Sequence, residues 1–220
     1  MLIGSYILFF CALLLSFTLN FVHYMHMFQL NSYSAFEHGH WIKNNFGNIA
    51  LRHVFPLIAA VYALAEVFFI NGGNALALVI CAALTLIGCA FCKRRPAKKK
   101  LVFTPRVIRM CVTSTVLYGA VCALSMIFLH ENRLFLPILC FWQLFSAVMP
   151  MIANFINKPI EKSVNDHYIN DAKRIINELP NTTVIGITGS YGKTSTKFYL
   201  NRLLSARYNV LMTPESYNTT

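Results

Sequence analysis

Charge is the first thing this sequence lacks. Eight Asp and Glu stand against 19 Lys and Arg, and charged residues make up only 12% of 220 while 56% are hydrophobic. A soluble domain averages roughly 25% charged residues, so the deficit excludes an ordinary water-soluble protein and makes membrane the expected class. The net charge of +11 would suit a nucleic-acid-binding face on a soluble domain. Here the basic residues punctuate apolar runs, which excludes nucleic acid as the partner and leaves lipid. Repeated charges inside the apolar runs are missing too, and with them the signature of a solute pathway. The single C-x-x-C, Cys89 to Cys92, lacks a second pair and a nearby His; the seven cysteines all fall in apolar runs and read as buried thiols. The first run lacks a basic leader and an A-x-A-like cleavage site, so it reads as a helix rather than a signal peptide.

Five runs remain as spans, since about 20 apolar residues cross a bilayer core. They cover 2–22, 54–70, 74–92, 107–129 and 134–156. Pro56 suits a first helical turn of the second, and Pro150 should kink the fifth. Orientation comes from Lys and Arg. "KRRPAKKK" (93–100) with Arg106 and Arg109 marks the cytoplasm, the 23–53 loop joins it there, and of 19 Lys and Arg only Arg133 faces out. The expected arrangement is a multi-pass membrane protein with an outer N-terminus and everything after the fifth span in the cytoplasm. The fold class is an α-helical membrane bundle followed by the start of an α/β phosphate-loop domain, divided at 1–157, 158–182 and 183–220.

Glu66 lies within the second span, either snorkelling or paired inside the bundle, or functional. His23, His26, His38, His40 and His53 cluster in the first loop, which with Trp41 reads as an interfacial loop at headgroup level, metal binding being the alternative. Residues 158–180 carry a helical apolar stripe (Ile160, Val164, Tyr168, Ile169, Ala172, Ile175, Ile176, Leu179) with Pro159 in its first turn and Pro180 ending it. That helix either links the bundle to the 183–220 region or lies on the membrane surface.

The chemistry is concentrated in "GITGSYGKTSTK". A β-branched run, 183–188, precedes the turn "GSYGKTS" (189–195) and a helix over 196–206. Gly189 and Gly192 let backbone N–H groups form a concave nest for phosphate oxygens, with Ser190, Tyr191 and Ser195 completing the loop. The helix N-terminus adds partial positive charge. Lys193 would reach the β- and γ-phosphates of ATP, and Thr194 would ligate Mg²⁺. The full G-x-x-x-x-G-K-[ST] pattern is not met, because Ile187 stands six before Lys193.

The shorter pattern, Thr188-Gly189-Ser190-Tyr191-Gly192-Lys193-Thr194-Ser195, resembles the phosphate loop of the Mur ligases and folylpolyglutamate synthetases. After a second expected strand, 208–213, "TPESYNT" is similar to a segment of the Mur ligase that adds D-alanyl-D-alanine to the muramoyl tripeptide. Thr213, Pro214, Ser216, Asn218 and Thr219 stand at matching places. The resemblance covers about 183–220. It implies ATP-dependent joining of a carboxylate to an amine in peptidoglycan precursor synthesis. Lys193 would be catalytic, Thr194 the metal ligand, Asn218 and Thr219 near the substrate, and a peptide-nucleotide or lipid-linked cell-wall precursor the partner. Poly-γ-glutamate synthetases carry a similar loop, and a membrane sensor binding ATP without turnover is the non-enzyme alternative. The family's uridine-nucleotide domain is replaced by membrane. Its further metal ligands, adenine contacts and C-terminal domain would lie beyond residue 220. The chain is therefore expected to be the front of a longer enzyme, or a broken gene, and inactive alone.

Overall fold

A computed structural model describes residues 2–70, 74–90, 99–130, 133–179 and 182–214. It divides into two compact units, Met1–Asn165 and Asp166–Thr220. Several sequence features fall outside the described residues: most of the basic loop (93–98), Cys92, Pro180, and the segment holding Ser216, Asn218 and Thr219.

The first unit is helical. Three of its helices are long and apolar enough to cross a membrane: α1 (Leu2–Leu30), α3 (Phe46–Ala65) with the π turn Glu66–Ile70 that continues it, and α5 (Pro105–Leu129). A fourth span exists if the bent pair formed by α6 (Phe135–Trp142) and α7 (Met149–Asn177) is counted as one. The expected third span is α4 (Asn74–Ala90), a 17-residue helix shorter than these, so among the described residues three helices, or four with the bent pair, are long and apolar enough to span rather than the five expected.

Packing is set by the side chains. On α1, Phe9, Ala12, Leu13, Ser16, Phe17, Asn20, Phe21 and Tyr24 are buried along one stripe, while Ile3, Ile7, Leu14 and Leu15 are exposed on the other faces, where acyl chains would meet them. The buried stripe carries Phe17, stacked on Tyr118 of α5 with ring centroids 4.1 Å apart. Small residues bring α3 and α4 close: Ala59, Ala60 and Ala63 share a core with Ala77, Cys81 and Ala82. A Cβ placed on Gly88 would sit 3.2 Å from Phe55 Cβ and 3.3 Å from Pro56 Cδ.

Several expectations about this unit are corrected. The 23–53 region is not a loop: α1 runs on to Leu30, and a short helix α2 (Ala35–Asn44) intervenes before α3 begins at Phe46. The signal was present in Ser34 and Glu37, a capping-box pair, since Ser34 Oγ accepts from the Glu37 N–H at 3.3 Å. Pro56 therefore lies inside α3 rather than in its first turn. The fifth span does not kink at Pro150. It breaks earlier, in a 3₁₀ turn over Gln143–Ala147, and bends by 72°. Pro150 is the second residue of α7, where its missing N–H costs no helical bond.

The break is held by side chains, as irregular backbone at membrane depth requires. Gln143, fully buried, donates from Nε2 to Leu13 O at 3.0 Å and to Tyr118 Oη at 2.9 Å. His38 Nε2 lies 3.1 Å from Ala147 O and supplies that carbonyl with a donor. Burial lowers the His38 pKa below its ordinary 6.5, the Ala147 carbonyl opposing the shift in part.

Pro159, expected to open a separate linker helix, lies in the interior of α7. Pro159 removes one N–H, and so the helical bond to the Phe155 carbonyl, while the helix continues through it.

In the second unit the runs 183–188 and 208–213 form no helix, and among the described residues there is no strand. A strand is defined by its ladder, and among those residues neither run has a neighbour to pair with. Val184 and Ile185 are 68% and 52% exposed, so the burial that stabilises a parallel strand is not achieved in 183–188. The expected helix is α8 (Lys193–Leu204).

Candidate phosphate-binding site

Residues 189–192 turn between the 183–188 run and α8, and two glycines make the turn. Gly192 has φ 77° and ψ −5°, the left-handed region that a side chain disfavours, and it caps α8. Gly189 has φ 150°. The Gly192 carbonyl accepts from the Thr196 N–H at 2.8 Å, which closes the first turn. No side chain caps this helix, so the N–H groups of Lys193, Thr194 and Ser195 point out of the helix end without an intrahelical partner. Together with the helix dipole these are the elements of an anion site.

Lys193 is the first residue of α8, and its Nζ folds back to donate to the Gly189 carbonyl. The ammonium therefore stands over the loop it belongs to, within reach of whatever the loop holds. Thr194 is half-buried on the same turn, whereas Ser190, Ser195 and Tyr191 are exposed, Tyr191 by 97%. The loop thus gathers Gly189, Gly192, Lys193 and Thr194 around one helix end and leaves the Tyr191 ring in solvent. Asn218 and Thr219 lie outside the described residues.

These groups fit the triphosphate of ATP: backbone donors, the Lys193 ammonium and no acid in 189–195 to repel it. For Mg²⁺ the loop offers the Thr194 hydroxyl. That suffices where phosphate oxygens and water complete an octahedral shell.

The membrane candidates are placed differently. Glu66 is 4% exposed and opens the π turn at the end of α3, beside a small cleft that Arg133, Phe135 and Leu136 also line. It is therefore enclosed by protein, not snorkelling. The five histidines of the first region do not converge on one point. His38 serves the 3₁₀ turn, and His53 Nε2 is 2.9 Å from Tyr24 Oη. His26 Nε2 is 2.8 Å from Lys99 O. Trp41 stacks on His38 inside the unit, 5.4 Å between centroids. Among the described residues no three His, Cys, Asp or Glu side chains gather as a metal site.

Comparison with protein-family models, with curated proteins and with solved structures gave no match.

Proposed function

We propose that the protein is a membrane-anchored, ATP-dependent carboxylate–amine ligase of Mur type. The observation that carries this reading is the conformation of 189–195. A left-handed Gly192 opens an uncapped helix, and Lys193 leans over the turn. The loop sequence supplies the ligase class, because its short form resembles that of ligases which activate a carboxylate as an acyl phosphate. Positive charge on 93–100 favours a cytoplasmic position for that loop and for the second unit, where ATP is available. The first unit then serves as the anchor, with lipid around its exposed apolar faces.

In this reading the first-turn N–H groups of α8 hold phosphate oxygens. Lys193 would exchange the Gly189 carbonyl for the phosphoryl group being transferred, and Thr194 would hold Mg²⁺. The metal's contribution is to neutralise charge on the phosphate oxygens. The protein's contribution is placement and fixed charge, and losing a single donor of this kind costs roughly 10²–10³ in rate.

The test is ADP release by the protein in membranes, with a muramoyl tripeptide nucleotide and D-alanyl-D-alanine. Amide formation that Lys193→Ala abolishes is the expected result. Unchanged turnover in Lys193→Ala would remove the ligase reading. Activity only with another acid and amine pair would keep the reaction class and remove the cell-wall assignment.

A further inference from the structure

We propose that Lys197 is a positioning residue that fastens the segment 208–214 against α8, one turn along from the phosphate loop. The inference rests on that loop being the nucleotide site, and it concerns what is held beside the site rather than the nucleotide. Lys193 and Lys197 are four residues apart and so lie on the same face of α8, separated by about 6 Å along its axis. Their ammonium groups have different partners. Lys193 Nζ stays with the loop, at Gly189 O. Lys197 Nζ donates to Thr213 O at 2.9 Å and lies 3.4 Å from Thr213 Oγ1. It is also 5.4 Å from the centroid of the Phe198 ring.

The segment that Lys197 holds has no ladder of its own. Its start is tied by the Tyr208 N–H, which donates to Leu204 O at 2.9 Å at the end of α8. Between the two ties the residues alternate: Val210 and Met212 are half-buried, whereas Leu211 is 100% exposed. On α8 the half-buried positions are Lys193, Thr194, Lys197, Leu200, Asn201 and Leu204, a single helical stripe. Burial of period two along the run and one covered stripe on the helix are what a segment laid along α8 produces. Tyr208 sets where the run begins, and Lys197 sets where it ends. A charge-assisted bond from a lysine to a backbone carbonyl fixes that end whatever side chain stands at position 213.

The consequence is specific. Lys197 brings Thr213 and Pro214 to the flank of the phosphate loop, and its own ammonium is engaged there instead of on phosphate. Replacing it should free the segment without weakening nucleotide binding.

Wild type, Lys197→Met and Lys197→Arg, each as the whole chain in lipid nanodiscs, are compared by two measurements. One is the rate of chymotryptic cleavage after Tyr208 or Leu211, resolved by mass spectrometry. The other is the affinity for a fluorescent ATP analogue with Mg²⁺. Lys197→Met is expected to be cut about tenfold faster, since opening of an unanchored segment limits cleavage, with analogue affinity within twofold of wild type. Lys197→Arg, which keeps a cation able to reach the carbonyl, is expected to be protected like wild type. Equal cleavage of Lys197→Met and wild type overturns the proposal, as does Lys197→Arg behaving like Lys197→Met. Loss of analogue affinity in Lys197→Met also overturns it, with or without faster cleavage, because the lysine would then serve the phosphates or the helix itself. The underlying nucleotide reading fails separately, if Lys193→Ala binds the analogue as wild type does.

Discussion

Arg109 on α5 and Glu161 on α7 are joined by a double contact. Arg109 Nε donates to Glu161 Oε1 at 2.8 Å, and Arg109 Nη2 is 2.7 Å from the same oxygen. Arg106 adds a second cation, its Nε 4.0 Å from Glu161 Oε2, while its Nη2 donates to Asn154 Oδ1 at 2.9 Å. One turn further in, Asn157 Nδ2 donates to Thr113 Oγ1 at 2.9 Å. These pairs form a polar seam between two antiparallel helices at the end of the bundle that carries the basic residues. Arg106 lies over the Tyr33 ring, 4.2 Å from its centroid, and so ties in the turn after α1 as well.

Glu161→Gln should therefore destabilise the bundle. The side chains of Arg109 and Glu161 are 30% and 19% exposed, so solvent screens the pair in part, and the expected loss is about 1–2 kcal/mol. It would be read as a lower unfolding midpoint in detergent. The exchanged pair Arg109→Glu with Glu161→Arg should recover part of the loss. An unchanged midpoint in Glu161→Gln would mean that the seam contributes nothing.

Acid should loosen the contact between α2 and the 3₁₀ turn. His38 has a folded pKa below its ordinary 6.5 because burial disfavours the imidazolium. As pH falls below 6.5 the unfolded chain takes up a proton that folded His38 refuses. The unfolded state then binds more protons, and folded stability declines. The contribution is complete above that pH. Other titrating groups surround this site, His23 and His53 among them, so the comparison is with His38→Gln, whose amide can still donate to Ala147 O. Its unfolding midpoint should fall less than that of wild type between pH 7.5 and 5.5. Equal falls would separate His38 from the acid response.

Gly88→Val should separate α3 from α4. The Cβ alone would stand 3.2 and 3.3 Å from Phe55 and Pro56 atoms close to the backbone, which have little freedom to retreat. Overpacking of this kind costs about 1–3 kcal/mol. A midpoint equal to wild type would show that the two helices are not in tight contact there.

The orientation proposed for the bundle is checked by chemistry in intact cells. In a cysteine-free background, Asn132→Cys should react with an impermeant maleimide and Lys100→Cys should not, because the orientation proposed from charge bias puts the 93–100 loop inside. Labelling of Lys100→Cys alone would invert the protein and place the phosphate loop away from cytoplasmic ATP.

Hydropathy carried the helical class and the approximate location of the spans, because apolar content over about 20 residues is a property of composition. It did not carry their ends. His23 and His26 are polar residues that read as loop from composition, yet α1 runs on through them to Leu30. The break at Gln143–Ala147 was hidden because its determinants are distant in sequence: Leu13, Tyr118 and His38 satisfy it. The prolines pointed elsewhere, since their effect depends on where a helix starts. For the candidate site, Gly192 and Lys193 were legible because a glycine–lysine pair opening a helix is a local instruction. The two strands expected at 183–188 and 208–213 are absent among the described residues, since a ladder needs a partner that neither run contains. The Lys197 contact was invisible for the same reason: nothing in "KTSTK" says which of its two lysines turns toward the loop and which toward residue 213.

The most direct measurement of the central claim is equilibrium binding of a fluorescent ATP analogue with Mg²⁺ to the chain in nanodiscs, wild type against Lys193→Ala. Lys193 opens α8 and stands over the loop at Gly189 O. A lost hydrogen bond to a charged group corresponds to roughly 10–100-fold in affinity. The account predicts saturable binding to wild type that competes with unlabelled ATP and weakens by that factor in Lys193→Ala. Affinity that Lys193→Ala leaves unchanged, or no competition by ATP, would contradict it.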